Sequence, residues 1–299
     1  GLTARDGAPP VPALPLDDRS VLVMAHPDDE ALWASSLVAR VGRVILAYEA
    51  LPGRPDVTAG RQAALARFPR SVESLRLTES ASFGAAAWPE PVETPEGLAV
   101  AAGPGTMPGF DPAAYRAGLA TLLARLRPAL AGARTVITHA PWGEYGHEDH
   151  VQICRAVEAL AGELGLAVWV PGHASARSLP LFQRHLGRLG APTPPMPTDR
   201  GLAETLRALY RETGCWTWTD DHAWPEAEVF YPLLPPAFPP PPPPPAAPAA
   251  PPPAPAPGRS FPLPLVPMPA APPRPPRSPS RSPARLVARI RRRLQGAGR

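Results

Sequence analysis

The hydrophobic pattern of the chain is regular between residues 18 and 234 and collapses on either side. Val21-Leu-Val-Met-Ala25 is a short unbroken apolar run, as expected of a strand covered on both faces. Val44-Ile-Leu-Ala-Tyr48, Thr135-Val-Ile-Thr138 and Ala167-Val-Trp-Val170 are further strands of this kind, and Val72 to Leu77 reads as a short one. Helical stretches lie between them: Ala31 to Ala39, Ala59 to Phe68, and Glu148 to Leu164. Another opens at Asp111-Pro112, a capping side chain followed by a residue with preset φ, and carries Leu119, Leu122, Leu123 and Leu126. Leu202 to Arg211 predicts one more helix. Ser80 to Gly109 mixes Gly, Pro, Trp and Ala without a period and predicts loops with a hairpin. Strands alternating with helices predict an α/β fold, a mostly parallel sheet with helices on both faces. Such sheets place their ligands at the carboxyl ends of the strands.

Composition explains why the pattern fails outside this stretch. Of 49 Pro in 299 residues, 25 fall between Pro235 and Pro283, where the missing backbone donors leave nothing to build a core. The chain therefore divides into an N-terminal arm (1–17), an α/β domain (18–234), a Pro-rich disordered linker (235–283) and a basic tail (284–299). No acidic residue follows Glu228, and ten Arg lie beyond Pro235. The basic pI belongs to this tail, so it does not imply a nucleic-acid-binding fold, and no specific nucleic-acid partner is expected. All 30 basic residues are Arg, which excludes a phosphate loop built on Lys. In the tail, Leu286, Val287, Ile290 and Leu294 share one helical stripe among five Arg, a pattern suited to an anionic membrane surface or an acidic partner. Cys154 and Cys215 cannot form a disulfide framework. The opening residues lack the apolar core of a signal peptide, and Arg5 stands where a myristoylation signal needs Ser or Thr. With no apolar run near the ~18 residues of a membrane span, the reading is a cytoplasmic protein, peripheral to a membrane if the tail binds one.

Two polar clusters follow strands. His26-Pro-Asp-Asp-Glu30 puts four ionisable groups at the end of a buried strand, and a His with a carboxylate three positions on can share one cation. Zinc is the commonest metal for such a nitrogen and oxygen set. Asp28 would then be a spare carboxylate placed to take a proton from water. The bland alternative is that these acids cap the next helix. In the second cluster, Trp142 to His150, His147 and His150 are three apart and can face one side at a helix start. The bland alternative there is a surface cap with two solvated His. Two such clusters following strands of one sheet favour a shared site.

His26-Pro-Asp-Asp-Glu30 and Gly143-Glu-Tyr-Gly-His-Glu-Asp-His150 resemble the two signature segments of the LmbE-like (PIG-L) de-N-acetylases. The resemblance covers the element order from Asp18 to at least Val170. It implies a Rossmann-like fold and a Zn2+ hydrolase that removes an acyl group from an N-acylated amino sugar such as N-acetylglucosamine. By position, it implies His26, Asp29 and His150 as metal ligands and Asp28 as general base. It further implies that His147 assists the oxyanion or the leaving amine, that Asp149 orients His147, and that Tyr145 polarises the carbonyl. Two departures stand out: the family's Pro within the second motif is Glu148 here, and of its Arg and Glu pair Arg61 is the candidate Arg, followed by Gln62 and two Ala.

Two rival readings stay open. One is an amidase of a thiol-sugar conjugate using the same residues. The other is a metal-free carbohydrate-binding or scaffold module whose Pro-rich segment docks partners. His139, His173, His185 and His222 read as structural or solvated. Trp216, Trp218 and Trp224 read as core, with a sugar subsite as the alternative.

Overall fold

Every residue of β1 (Ser20–Met24) is buried because the strand runs through the middle of a six-stranded sheet. The structure, a computed structural model, describes residues 13–235. After β1 come α1 (Asp29–Trp33), α2 (Ser35–Val38), β2 (Arg43–Ala50), α3 (Pro55–Ala66) and β3 (Val72–Thr78). A small hairpin, β4 (Glu93–Thr94) and β5 (Gly97–Leu98), precedes α4 (Pro112–Ala129). Then follow β6 (Thr135–Thr138), α5 (Glu148–Leu164), β7 (Ala167–Pro171) and α6 (Leu179–His185). The last described elements are β8 (Met196–Pro197), α7 (Arg200–Glu212), β9 (Ala227–Glu228) and β10 (Phe230–Pro232).

The sheet order is β10-β7-β6-β1-β2-β3, parallel throughout except for β10, which pairs antiparallel with β7. This is the expected mostly parallel α/β architecture. Strand alternation divides β1 between two cores. Val21 and Val23 pack into the cluster that holds Leu122 and Leu126 of α4 and Val151 and Val157 of α5. Leu22 and Met24 pack on the other face with Leu37 of α2, Val57 of α3 and Leu206 of α7. Both sets are apolar because both faces are covered, which is why the strand reads as a continuous run. The chain moves from β1 to β2 on one side and later to β6 on the other. The crevice where the order reverses lies at the carboxyl ends of β1 and β6, the place where such sheets bind ligands.

Two local departures from the sequence reading have physical causes. The helix expected over Ala31 to Ala39 is broken at Ala34, whose backbone leaves the helical region. The groups freed by the break are not orphaned: the N–H and hydroxyl of both Ser35 and Ser36 donate to the carboxylate of Glu228 at 2.6–3.1 Å. That partner is 193 residues away, beyond any local pattern. Strand β10 was not expected, since three residues ending in Pro carry no readable alternation. Leu14 and Leu16, assigned to the arm, pack against the second core. The remainder of the arm before residue 13, the linker and the basic tail lie outside the described residues. Among the described residues no helix is long and apolar enough to cross a membrane.

The hairpin is pinned through Glu93, 3.0 Å from His185 Nε2 and 3.0 Å from Arg155 Nη2, with Arg184 at 3.9 Å. Burial acts to raise this carboxyl, but His185 and the two guanidiniums prevail and hold it at about 2, below the ordinary 4.5. A group with a depressed folded value adds stability above its unfolded value and loses it as pH falls through the folded one. Glu93 therefore supports the fold fully above pH 4.5 and progressively less down to about 2. Urea unfolding of the wild type and Glu93→Gln should show a stability gap that closes over that window. A gap indifferent to pH would remove the charge from this account.

Candidate metal centre and active site

The first cluster is aimed by the end of β1. Ala25 completes the buried run and His26 turns into the crevice, where Asp29 begins α1. Asp28 sits between them with φ 128°, a conformation that costs a non-glycine residue of order 1–3 kcal/mol. The second cluster is aimed by a turn after β6. Gly143 has φ 64°, and a Cβ there would come within 2.5 Å of the His147 carbonyl oxygen, so only Gly fits. Glu144 follows at φ 45° and is thrown inward, fully buried. His147 caps α5, its Nδ1 accepting from the Asp149 N–H at 3.1 Å. His150, one turn on, is also fully buried.

The two clusters meet. Asp29 Oδ2 lies 3.2 Å from His26 Nδ1 and its Oδ1 lies 3.3 Å from His150 Nε2. Donor atoms fall within 4.8 Å of one another in three sets: His26, His147 and His150; Asp29, His139 and His150; His26, Glu79 and Asp149. Hydrogen-bond partners decide which atoms have a lone pair to give. His139 Nε2 accepts from the Ala25 N–H at 2.8 Å, so its proton is on Nδ1, facing Glu144. His147 Nδ1 likewise accepts, which leaves Nε2–H as a donor. His150 Nδ1 is 2.6 Å from Glu144 Oε2, leaving Nε2 bare and without a hydrogen-bond partner. His26 Nδ1 is hydrogen-bonded to Asp29 Oδ2 at 3.2 Å, and its Nε2, though 2.8 Å from Glu79 Oε2, has no hydrogen-bond partner. The ring nitrogens left bare are His26 Nε2 and His150 Nε2, and Asp29 lies between the two rings.

Charge points the same way. Asp28, Asp29, Glu79, Glu144 and Asp149 are buried together with Arg61 as their guanidinium partner, bonded to Glu79 at 3.2 Å. Buried carboxylates in such excess are costly without a cation. Burial works against protonation of His26, yet Glu79, Asp149 and Asp29 together raise it well above the ordinary imidazole value. His150 is raised to about 9, Asp29 and Glu144 overcoming the opposing burial. A field that favours imidazolium so strongly also favours a bound dication. The donor set and its bare Nε2 fit a metal.

Residues 21–161, which take in both polar clusters, match the family model PIG-L, described as GlcNAc-PI de-N-acetylase. The domain belongs to the PIG-L family. As a PIG-L protein it falls in a class of amide-hydrolysing de-N-acetylases. Solved structures with a similar path include a teicoplanin deacetylase in complex with teicoplanin, at 16% identity, TM-score 0.45, covering 72% of this chain and 98% of that one. The zinc-inhibited form of the teicoplanin deacetylase Orf2 is 17% identical with the same coverage and TM-score. The A40926 pseudoaglycone deacetylase Dbv21 is 14% identical at TM-score 0.44, covering 73% and 98% of the two chains. No match was found among curated proteins.

Around the PIG-L centre, Asp28 Oδ2 accepts from the Thr217 hydroxyl at 2.6 Å. Burial and the neighbouring Asp29 raise the Asp28 carboxyl to about 6. Burial, with His150 and His26 beside it, pushes His147 well below 6.5, so its ring stays neutral. Tyr145 is pushed well above its ordinary value by burial and by Asp29 and Asp28, so it stays a phenol able to donate. The side chain of Asp149 does not act as expected: its Oδ1 accepts from Ser80 and Ser82 at 2.7 and 2.9 Å, and it is the Asp149 backbone N–H that meets His147. Glu148, in place of the family's Pro, accepts from the N–H groups of Gly84 and Ala86 and from Trp88 Nε1, and so shapes the loop beside the site. Of the three tryptophans considered for a subsite, Trp224 is buried and donates to the Ala31 carbonyl, and Trp216 packs on the second core. Trp218 lies at the site, 4.7 Å from the Tyr145 ring and 5.5 Å from Trp33. Sequence reasoning missed Glu79, Glu144 and Thr217. Glu79, at the end of β3, follows the same strand-end rule that found His26, but a lone Glu beside Ser carries no motif.

Proposed function

We propose that the protein is a zinc-dependent hydrolase that removes an acetyl or other acyl group from an N-acylated amino sugar or glycoconjugate. The observation that carries the reading is the meeting of buried His26, Asp29 and His150, with an unpartnered Nε2 on each ring, beside a second carboxylate, Asp28. His26, Asp29 and His150 would hold the ion. When bound, zinc supplies a Lewis acid that polarises the amide carbonyl and acidifies water. Asp28 takes the proton of the attacking water; the Thr217 hydroxyl fixes its Oδ2, and its upward-shifted pKa places it near the working range of a general base. Tyr145 O–H and His147 Nε2–H donate where negative charge develops on the carbonyl oxygen, and Asp28 hands the proton it took from the water to the departing amine. Trp218, half-buried beside Tyr145 and packed on the buried Trp33, offers a flat apolar face to a sugar ring.

The test is metal content of the purified full chain together with amine release from a panel of N-acetylamino sugars. One zinc per chain with amine release is expected. A chain that takes up no zinc after reconstitution would overturn the reading and favour a binding module.

A further inference from the structure

Glu144 has no part in the chemistry above, yet it is among the most completely enclosed charges in the domain. Its Oε2 lies 2.6 Å from His150 Nδ1 and 2.9 Å from His139 Nδ1, and its Oε1 accepts from the Ala140 N–H at 2.7 Å. The Ser178 hydroxyl holds its carbonyl oxygen from outside. One carboxylate thus receives two imidazole N–H groups. Closing the Ala140 turn needs only one acceptor oxygen; the second oxygen and the charge are spent on the two rings.

The far end of this arrangement is anchored on β1. His139 Nε2 accepts from the Ala25 N–H at 2.8 Å, and Ala25 immediately precedes His26. A continuous path of hydrogen bonds therefore runs from the strand end carrying His26 and Asp29, through His139 and Glu144, to His150. The His139 and His150 rings stack at 3.7 Å between centroids, so the path has little freedom to bend. We propose that Glu144 is a positioning residue: with His139 it braces His150, keeping Nδ1 protonated and Nε2 turned to the ion at a fixed distance from His26 and Asp29. The inference rests on the metal reading above. A histidine ligand whose other nitrogen donates to a carboxylate is also a more basic ligand. The turn with φ 45° at Glu144 is what delivers a carboxylate to this spot.

The test compares zinc affinity of the full-length wild type and Glu144→Gln by competition with a chelating dye. Gln keeps the size and can still accept from Ala140, but it loses the charge and presents NH2 where an acceptor is needed. The dissociation constant should rise by about 10–100-fold, as for loss of an outer partner of a ligand. A purely structural role would lower the unfolding midpoint and leave zinc affinity at the wild-type value, and that result overturns the proposal. Should the variant not fold, nitrogen-15 spectra of histidine-labelled wild type decide. The brace requires a proton on His150 Nδ1 with and without zinc; a His150 whose Nδ1 carries no proton overturns it. Wild type that binds no zinc would instead sink the metal reading and the brace with it. Tight zinc in both proteins would sink the brace alone.

Discussion

Asp28→Asn is expected to lower turnover by roughly 10²–10⁴-fold, the range lost with a general base, while zinc content stays at the wild-type level. The substitution isolates the base because almost nothing else about the position changes. Asn is among the few residues besides Gly that tolerate positive φ, so the 128° backbone at this position is not a new strain. Its amide oxygen can still accept from the Thr217 hydroxyl, the 2.6 Å contact that aims the native side chain. The Asp28 side chain belongs to none of the three donor sets found among the described residues. What disappears is the ability to take a proton. Measured zinc per chain and amine release on the same preparation separate the two functions. Full activity in this variant would refute the assigned base even with the metal in place.

Asp29→Asn should have the opposite signature, losing the metal first and the activity in consequence. Asp29 presents one oxygen towards His26 Nδ1 and the other towards His150 Nε2, at 3.2 and 3.3 Å. It also accepts from the His26 N–H and from Trp33 Nε1, which a neutral amide can satisfy only in part. Loss of its charge should weaken zinc binding by more than the roughly 10–100-fold attached to an outer partner. Chelator treatment of the wild type should reproduce the loss of turnover, and added zinc should restore the wild type at concentrations that leave Asp29→Asn inactive. Unchanged zinc in Asp29→Asn would shift the centre towards the set formed by His26, His147 and His150.

The fold was legible where each face of an element meets one kind of surroundings. Continuous apolar runs marked β1, β2, β6 and β7 because both faces of those strands are covered. The start of α4 followed from the Asp111 cap and Pro112, and α5 spans the residues expected of it. What escaped was set by partners distant in sequence: the break at Ala34 is stabilised by Glu228, and β10 exists only as an edge for β7. The site shows the same division. His26, Asp28, Asp29, Tyr145, His147 and His150 lie in two short local motifs at the ends of β1 and β6. Glu79 and Thr217 reach it as single residues of ordinary type, and Glu144 lies within the second motif but carried no role of its own there. His139 read as structural, and a hydrogen bond to a backbone N–H 114 residues away is what its structural task turned out to be.

Thr217 lies 189 residues from the carboxylate it contacts and outside the segment 21–161 that carries the family signature. The ion's candidate ligands and the candidate proton acceptor thus lie within one stretch of the chain, while the hydroxyl that aims the acceptor comes from outside it. Grafting residues 215–224 between relatives would then exchange the setting of the base and the Trp218 face together, leaving the ion's own donors untouched. Reactivity and reach towards a new sugar could be varied by swapping one short cassette.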